Sequence, residues 1–243
     1  MKKRDYVLEV CCGSIEDVIT AVEAGADRIE LCSALDAGGL TASYGTTKTA
    51  LEIASGKTKI LNIIRPQEGG FVYTDAEYQV AFNDAKTVLE LGADGIVFGF
   101  LDENSDIDIE KTQDFVNLAG KKETCFHRAF DEVRDWRIAI DQLVELGVDR
   151  ILTSAQRSNV LDGLDTLKKM QEYANGRIQI MAGAGVVPEK IDEIIEISGV
   201  ENIHGTFSKK VYVENKLRGE INSNQDNVYC YKVVDRDLLN KID

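Results

Sequence analysis

A short pattern that returns four times along the chain constrains its fold more than any other feature of the sequence. The copies are residues 24–31, 91–98, 146–153 and 198–205, and their glycines are 67, 55 and 52 residues apart. In each copy the glycine follows a helix-like stretch, because glycine adopts the left-handed helix-ending conformation without penalty. A brief β-branched or aromatic run comes next and is typical of a buried strand. Each step therefore spans two β–α units.

Strand-like and helix-like segments of the same kind fill the rest of this region. The other predicted strands are residues 6–12, 59–65, 123–128 and 177–183. Predicted helices, with apolar residues three and four apart, cover residues 14–23, 43–54, 75–91, 109–119, 137–146, 161–173 and 189–197. Eight strands alternating with helices predict an α/β fold, and eight is the number that closes into a (β/α)8 TIM barrel. An open doubly wound sheet is the alternative, but it needs a switch point that the even repeat does not show.

The pattern stops near residue 206, which divides the chain into two parts. Residues 1–208 are predicted to form a single barrel, and residues 209–243 a polar C-terminal extension. An aromatic patch at residues 229–231 predicts that the extension packs on the barrel or on a partner subunit.

Charge and cysteine usage exclude several classes of function. The formal net charge is −14, which argues against nucleic acid and anionic membrane as partners, because phosphate-rich surfaces require a basic face. No apolar run approaches the roughly 20 residues that a membrane span needs, and the N-terminus lacks the features of a secretory signal. Five cysteines without a CxxC pair favour reduced thiols in a cytoplasmic protein, and indicate neither a structural zinc site nor a redox motif.

The repeat also predicts which side chains meet inside the barrel, whose active site is built at the C-terminal ends of the strands. Aligning the copies places Glu30 and His204 in one layer, and strand alternation points Glu9 and Cys11 inward from the first strand. Two carboxylates inside a barrel are costly unless they are paired or protonated. Glu9 and Glu30 are therefore candidates for general acid–base catalysis, and the alternative is a buried ion-pair network with an arginine such as Arg65.

Both histidines of the chain, His127 and His204, fall at predicted strand ends and are further candidates for proton transfer. Arg65 and Arg128 end the third and fifth predicted strands. Because a guanidinium binds carboxylate or phosphate in a bidentate fashion, these arginines are predicted to hold an anion. The alternative is a salt bridge from either arginine to Glu9, Glu30 or Asp131.

Small residues after the seventh predicted strand add a possible phosphate site. Gly183 and Gly185 lie where many barrels hold a phosphate against a helix N-terminus, and Ser154 falls at the mouth with them. These three residues are assigned to the anion-binding site.

The cysteines divide into two groups. Cys12 and Cys125 are interpreted as small buried apolar residues. Cys11 and Cys32 end neighbouring strands and are predicted to face the mouth together. Two thiolates can bind Cu(I), a soft ion, so this pair is the candidate metal site.

Taken together, these motifs resemble the CutC family. The opening LEVCC segment at residues 8–12 and the FHRAFD segment at 126–131 resemble family motifs, as do residues 26–32, 38–41, 63–66, 152–154, Gln156 and 181–186. The resemblance covers residues 6 to about 206. It implies a cytoplasmic copper homeostasis protein with a TIM-barrel fold, often oligomeric. The chain departs from the family pattern at residues 204–207, where His-Gly-Thr-Phe replaces a serine-containing motif.

Two hypotheses follow. The resemblance implies copper homeostasis with Cu(I) bound by Cys11 and Cys32, in a homo-oligomer that is a dimer or a tetramer. The residues at the strand ends also fit an enzyme that acts by acid–base chemistry on a small phosphorylated or carboxylated metabolite. Both hypotheses expect a metal or small-molecule ligand, with neither nucleic acid nor membrane as a partner.

Overall fold

The computed structural model describes residues 4–214 and 228–242. Eight parallel strands close into a barrel in sequence order, with β1 paired to β8, so the predicted TIM barrel is confirmed. The barrel strands are β1 (Val7–Cys12), β2 (Arg28–Leu31), β3 (Lys59–Ile63), β4 (Gly95–Phe98), β5 (Glu123–Phe126), β6 (Arg150–Thr153), β7 (Gln179–Ala182) and β8 (Asn202–Gly205).

Helices on the outside connect successive strands. They are α1 (Ile15–Glu23), α2 (Tyr44–Ala54), α3 (Asp75–Glu90), α4 (Ile109–Ala119), α5 (Trp136–Leu146), α6 (Leu164–Ala174) and α7 (Ile191–Ser198). Short 3-10 turns precede some of them, at Leu35–Ala37, Arg128–Glu132, Val160–Gly163 and Pro188–Lys190. Local sequence explains the boundaries: Thr74 and Glu77 form a reciprocal capping box at the start of α3. Gly147 ends α5 in the left-handed conformation that the repeat predicts.

Apolar side chains form two separate cores. The four repeat isoleucines, at positions 29, 96, 151 and 203, point outward into the core between strands and helices, as their alignment predicts. A smaller core fills the barrel, and its buried members are Cys11, Cys32, Leu61, Ile63, Val97, Cys125, Leu152 and Met181. The barrel therefore has a packed interior.

The C-terminal extension contacts the barrel beside α1. It consists of an antiparallel hairpin, β9 (Ser208–Glu214) and β10 (Val228–Val234), followed by the short helix α8 (Arg236–Leu239). The Val234 amide donates a hydrogen bond of 2.7 Å to Asp17 Oδ1 of α1. Contact with a partner subunit stays a prediction, and residues 215–227 of the extension lie outside the described residues.

Across the described ranges, every helix is too short or too polar to cross a bilayer.

Candidate functional site

A cavity of about 680 Å³ opens at the C-terminal ends of the strands. Seven of the eleven predicted site residues line it, namely Cys11, Glu30, Arg65, His127, Arg128, Gly185 and His204. The other four, Glu9, Cys32, Ser154 and Gly183, lie behind or beneath its wall. The structure thus brings most of the predicted residues together, although several of them have contacts that differ from the prediction.

Glu9 lies under the cavity in a buried charged cluster. Its Oε2 accepts a hydrogen bond from Arg28 Nε, and its Oε1 lies 2.7 Å from His204 Nδ1. Burial alone would raise the pKa of Glu9, but Arg28 and the hydrogen bond with His204 hold it well below its ordinary value. Glu9 is thus an ionised residue that positions His204. Glu9 does not line the cavity, and its acid–base role stays a prediction.

His204 and Glu30 face one another above Glu9. His204 Nε2 lies 3.9 Å from Glu30 Oε2, while Nδ1 is held by Glu9. Burial lowers the pKa of His204, but the Glu30 charge and the bond to Glu9 outweigh it, so the pKa is raised. Burial and the nearby Glu9 charge raise the pKa of Glu30. A buried carboxyl and imidazole that face one another, each with a raised pKa, suit proton transfer.

The predicted thiol pair is present beside these groups. Cys11 Sγ lies 3.8 Å from Cys32 Sγ, and it donates to Glu30 Oε2 at 3.2 Å. The contact with Cys32, burial and the Glu30 charge raise the pKa of the Cys11 thiol well above its ordinary value. Ligand atoms of Cys11, Glu30 and His204 all lie within 4.8 Å of one another.

These separations can be tested against the size of a metal centre. Zinc–thiolate bonds of about 2.3 Å set the scale, so two ligands of one ion lie no more than about 4.6 Å apart. The Cys11–Cys32 and Cys11–Glu30 separations of 3.8 and 3.2 Å meet this limit, as does the His204–Glu30 separation of 3.9 Å. Each of these three pairs is therefore close enough for its two atoms to bind the same ion.

In the described part of the chain, Arg65 forms none of the three salt bridges foreseen as alternatives. Its Nη1 donates to the carbonyls of Ala37 and Gly39, at 3.0 and 3.2 Å, and its Nη2 to the carbonyl of Gly69 at 2.8 Å. The guanidinium also lies over the Phe71 ring, 5.4 Å from its centroid. Arg65 therefore ties the loops after β2 and β3 together while it lines the cavity.

His127 lines the cavity with its Nδ1 already hydrogen-bonded, and its role as an acid or base stays a prediction. It follows β5 and caps the next turn, since its Nδ1 accepts a 3.1 Å hydrogen bond from the Ala129 amide. That bond places the ring proton on Nε2. Burial, with the charges of Arg65 and Arg128, lowers the pKa of His127 to about 3. At neutral pH the ring can donate from Nε2, but it cannot accept a second proton.

Arg128 and Ser154 are held in a polar network with Asp131. Arg128 Nε donates to Asp131 Oδ2 at 2.9 Å and its Nη2 to Ser154 Oγ at 3.0 Å. Ser154 Oγ in turn donates to Asp131 Oδ2 at 2.8 Å. The alternative foreseen for Arg128, a salt bridge to Asp131, is thus confirmed. Ser154 is buried behind the cavity wall, so its predicted anion contact is corrected to support of Arg128.

The glycine loop after β7 offers less to a phosphate than predicted. The Gly183 amide donates to the Thr153 carbonyl within the strand ladder, at 3.0 Å, and is not available to a ligand. A Cβ at Gly183 would lie 2.6 Å from Leu152 Cδ1 and 3.2 Å from His204 Cδ2, so glycine is required by packing. Gly185 does line the cavity.

Four buried or half-buried residues beneath Glu9 are absent from the sequence prediction. Arg28 Nη2 donates to Asn202 Oδ1 at 3.3 Å, and Arg150 Nη2 to Glu123 Oε2 at 3.0 Å. Arg28, Arg150 and Asn202 each stand directly before the aligned isoleucine of their repeat copy. Applying the repeat alignment one position earlier would have found three of these four polar residues.

Comparisons with known proteins agree with this architecture. The family model for the CutC family matches residues 6–209. A Treponema denticola protein described as a family protein CutC is 41% identical over 207 residues, which are 85% of this chain and 83% of that protein. A Photorhabdus laumondii protein of the same description is 43% identical over 202 residues, covering 83% of this chain and 80% of that one.

Solved structures give the same result. A crystal structure from Streptococcus agalactiae, provisionally described as a copper homeostasis protein CutC, is 35% identical with a TM-score of 0.79 and covers 83% of this chain and 98% of its own. An aldolase structure at 18% identity and a TM-score of 0.64 shares the fold alone. The extent and identity of these matches show that the chain belongs to the CutC family.

Proposed function

We propose that this protein takes part in cytoplasmic copper homeostasis by binding Cu(I) at the barrel mouth through Cys11 and Cys32. The observation that carries the proposal is the 3.8 Å separation of the two sulfur atoms at the end of neighbouring strands. The related Streptococcus agalactiae protein carries a description of the same role. All five cysteines are free, which suits a reducing compartment.

The surroundings of the thiol pair suit a soft monovalent cation. Thiolates are the ligands that Cu(I) prefers, and the Glu30 and His204 donor atoms are close enough to complete the coordination. Arg28 is paired with Glu9 and balances part of the negative charge that two thiolates would bring. The cavity gives the site a route to solvent.

An anaerobic Cu(I) titration against a competing chelator tests this proposal. The exposed Cys230 would contribute its own binding, so all variants are made in a Cys230→Ser background. We expect Cys11→Ser/Cys32→Ser to lose the tight site. Cys12→Ala/Cys125→Ala is the matched control, because it removes the same number of buried thiols away from the mouth. Equal Cu(I) affinity in the two double variants, both folded by circular dichroism, would remove the proposal.

A second candidate function is acid–base catalysis on a small anionic metabolite. Two observations favour it. The cavity of about 680 Å³ is far larger than an ion and has the size that holds a small organic molecule. In addition, Glu9 holds His204 so that Nε2 of the imidazole faces Glu30. In this function His204 and Glu30 exchange a proton with the substrate.

A screen for metabolite turnover with the Glu30→Gln and His204→Asn variants tests the second candidate. We expect both variants to abolish any turnover that the unmodified protein shows. Turnover that survives in both variants would exclude this assignment of the acid and the base. Homo-oligomerisation to a dimer or tetramer stays a prediction, to be measured by light scattering.

A further inference from the structure

Three buried side-chain polar atoms on the cavity wall have no hydrogen-bond partner in the part of the chain that the structure describes. They are Arg65 Nε, His127 Nε2 and Glu30 Oε1. A buried polar group without a partner costs about 1–3 kcal/mol, so such groups are rare in native proteins. Eight such atoms occur in the described part of the chain, and these three belong to residues that line the cavity, where a bound molecule can supply the missing partners.

The chemistry of the first two atoms is fixed. Arg65 Nε can only donate. His127 Nε2 also donates, because Nδ1 already accepts from the Ala129 amide. Phe71 holds the two groups side by side, since its ring contacts the Arg65 guanidinium at 5.4 Å and the His127 ring at 4.9 Å between centroids. One wall of the cavity thus presents adjacent donors that await an acceptor.

The charge of this wall selects an anion. Within the described ranges, Arg65 donates to carbonyl groups and forms no ion pair with a carboxylate. The neighbouring Tyr73 does not neutralise it, because burial raises the pKa of the phenol to about 12. His127 is neutral, so the wall carries one net positive charge. A single positive charge and two donors match a carboxylate better than a phosphate dianion, and the Gly183 amide that a phosphate would need is already bonded.

We propose that Arg65 and His127 form a carboxylate-binding site in the barrel mouth, which takes a small organic acid. The apolar body of the acid packs against Leu35, Ile63, Leu152 and Phe207, which line the same cavity. Its remaining polar end faces Glu30 Oε1. The proposal rests on the second candidate function in one respect, that an organic molecule binds in this cavity. It adds that the molecule carries a carboxylate, and that Arg65 and His127 recognise that carboxylate.

Phenylacetate is a suitable probe, with phenylacetamide and phenyl phosphate as isosteric comparisons. Binding is measured by isothermal titration and by saturation-transfer NMR. We expect phenylacetate to bind at least tenfold more tightly than either comparison, since one hydrogen bond to a charged group is worth about tenfold in affinity.

Two substitutions each remove one of the unpartnered donors, and Arg65→Lys also removes the hydrogen bonds of Nη1 and Nη2 to the loop carbonyls. His127→Asn keeps a side-chain oxygen near the Ala129 amide and loses only the Nε2 donor. Arg65→Lys keeps the charge and loses Nε. We expect about a tenfold loss of phenylacetate affinity in each. Val187→Ala is the matched control on the rim of the same cavity, and its affinity is expected to stay within twofold because Val187 is exposed and carries no side-chain donor.

The outcomes separate this proposal from the others. Equal binding of phenylacetate and phenylacetamide, tighter binding of phenyl phosphate, or no binding of phenylacetate would overturn it. Unchanged affinity in His127→Asn would do so even if Arg65→Lys fails to fold. Carboxylate binding without any turnover would support this binding site and contradict the proposed enzymatic function. The Cu(I) titration of the same variants reports on the thiol pair alone.

Discussion

The neutral state of His127 makes folding stability depend on pH in a way that can be worked out from the structure. The pKa of His127 is about 3 in the folded protein, because of burial and the charges of Arg65 and Arg128, against an ordinary value of 6.5. Between these values the unfolded chain binds a proton that the folded chain does not. Stability contributed by His127 is thus fully present above pH 6.5 and falls as the pH drops toward 3.

The magnitude follows from the two pKa values. At pH 5 the unfolded imidazole is almost fully protonated, which favours unfolding by about 2 kcal/mol, whereas at pH 7 the effect is only ~0.2 kcal/mol. A loss of about 2 kcal/mol is large for a protein whose total stability is of the order of 5–15 kcal/mol. The carboxylates and His204 also respond to pH, so the single contribution must be isolated by difference.

Urea unfolding at pH 7 and pH 5 isolates it. The unmodified protein and His127→Asn are compared at both pH values, and the groups common to both cancel. We expect the unmodified protein to lose about 2 kcal/mol more than the variant between pH 7 and pH 5. Because the chain has only two histidines, NMR can follow both Hε1 signals directly.

The NMR titration also gives the result that would refute the reasoning. The signal missing in His127→Asn identifies His127, and it should not titrate between pH 5 and 8. A titration midpoint near 6.5, or an equal pH-dependent loss in protein and variant, would show that His127 is hydrated and able to protonate. The assignment of Nε2 as a fixed donor would then fail with it.

Two further predictions concern the cluster beneath the cavity and the space around His127. Glu9→Gln leaves the buried Arg28 without its carboxylate, so the free energy of unfolding in urea should fall by about 3–5 kcal/mol. The pKa of His204, measured by NMR, should also fall. A loss of stability below about 1 kcal/mol would contradict the buried ion pair. Gly99→Ala places a Cβ 2.5 Å from His127 Cε1. We therefore expect the variant to lose about 1–3 kcal/mol of folding stability and to bind phenylacetate more weakly. Unchanged phenylacetate affinity would show that the His127 ring is free to move.

The repeat made much of this site predictable. Copies of one pattern occupy equivalent positions in alternate strands, so aligning them placed Glu30 and His204 in one layer correctly. The same alignment sends the repeat isoleucines outward. Within one set of alternate strands, therefore, sequence spacing is enough to predict which side chains share a layer.

The height of Glu9 could not be predicted in the same way. The odd strands carry no copy of the pattern, and their offset from the even strands depends on the stagger of the closed barrel. In the sheet register Glu9 pairs with Arg28 of β2 and with His204 of β8, whereas Cys11 pairs with Glu30 of β2. The Glu9 carboxylate, which the sequence predicts at the mouth, therefore lies below the mouth. The Cys11 thiol lies at the mouth instead.

The role of Arg65 was hidden for a different reason. Its partners are main-chain carbonyls of two loops, and the path of a loop is not encoded in side-chain periodicity. Charge patterns suggested a carboxylate partner, since a buried guanidinium normally requires one. The carbonyls satisfy its Nη atoms but bring no negative charge. Because no carboxylate among the described residues pairs with the guanidinium, its positive charge is available to attract an anion.

The cavity consequently has two chemically different sides, which is why a metal and an organic acid are not competing explanations of it. Cys11, Glu30 and His204 form one side, with soft and anionic donors over a charged floor. Arg65 and His127 form the other, with donors and a positive charge. A single ion held by the thiols would fill a small part of about 680 Å³ and would leave the second side without partners. A carboxylate there would leave the thiols untouched. The Cu(I) titration and the carboxylate titration therefore test different side chains, so neither experiment can stand in for the other.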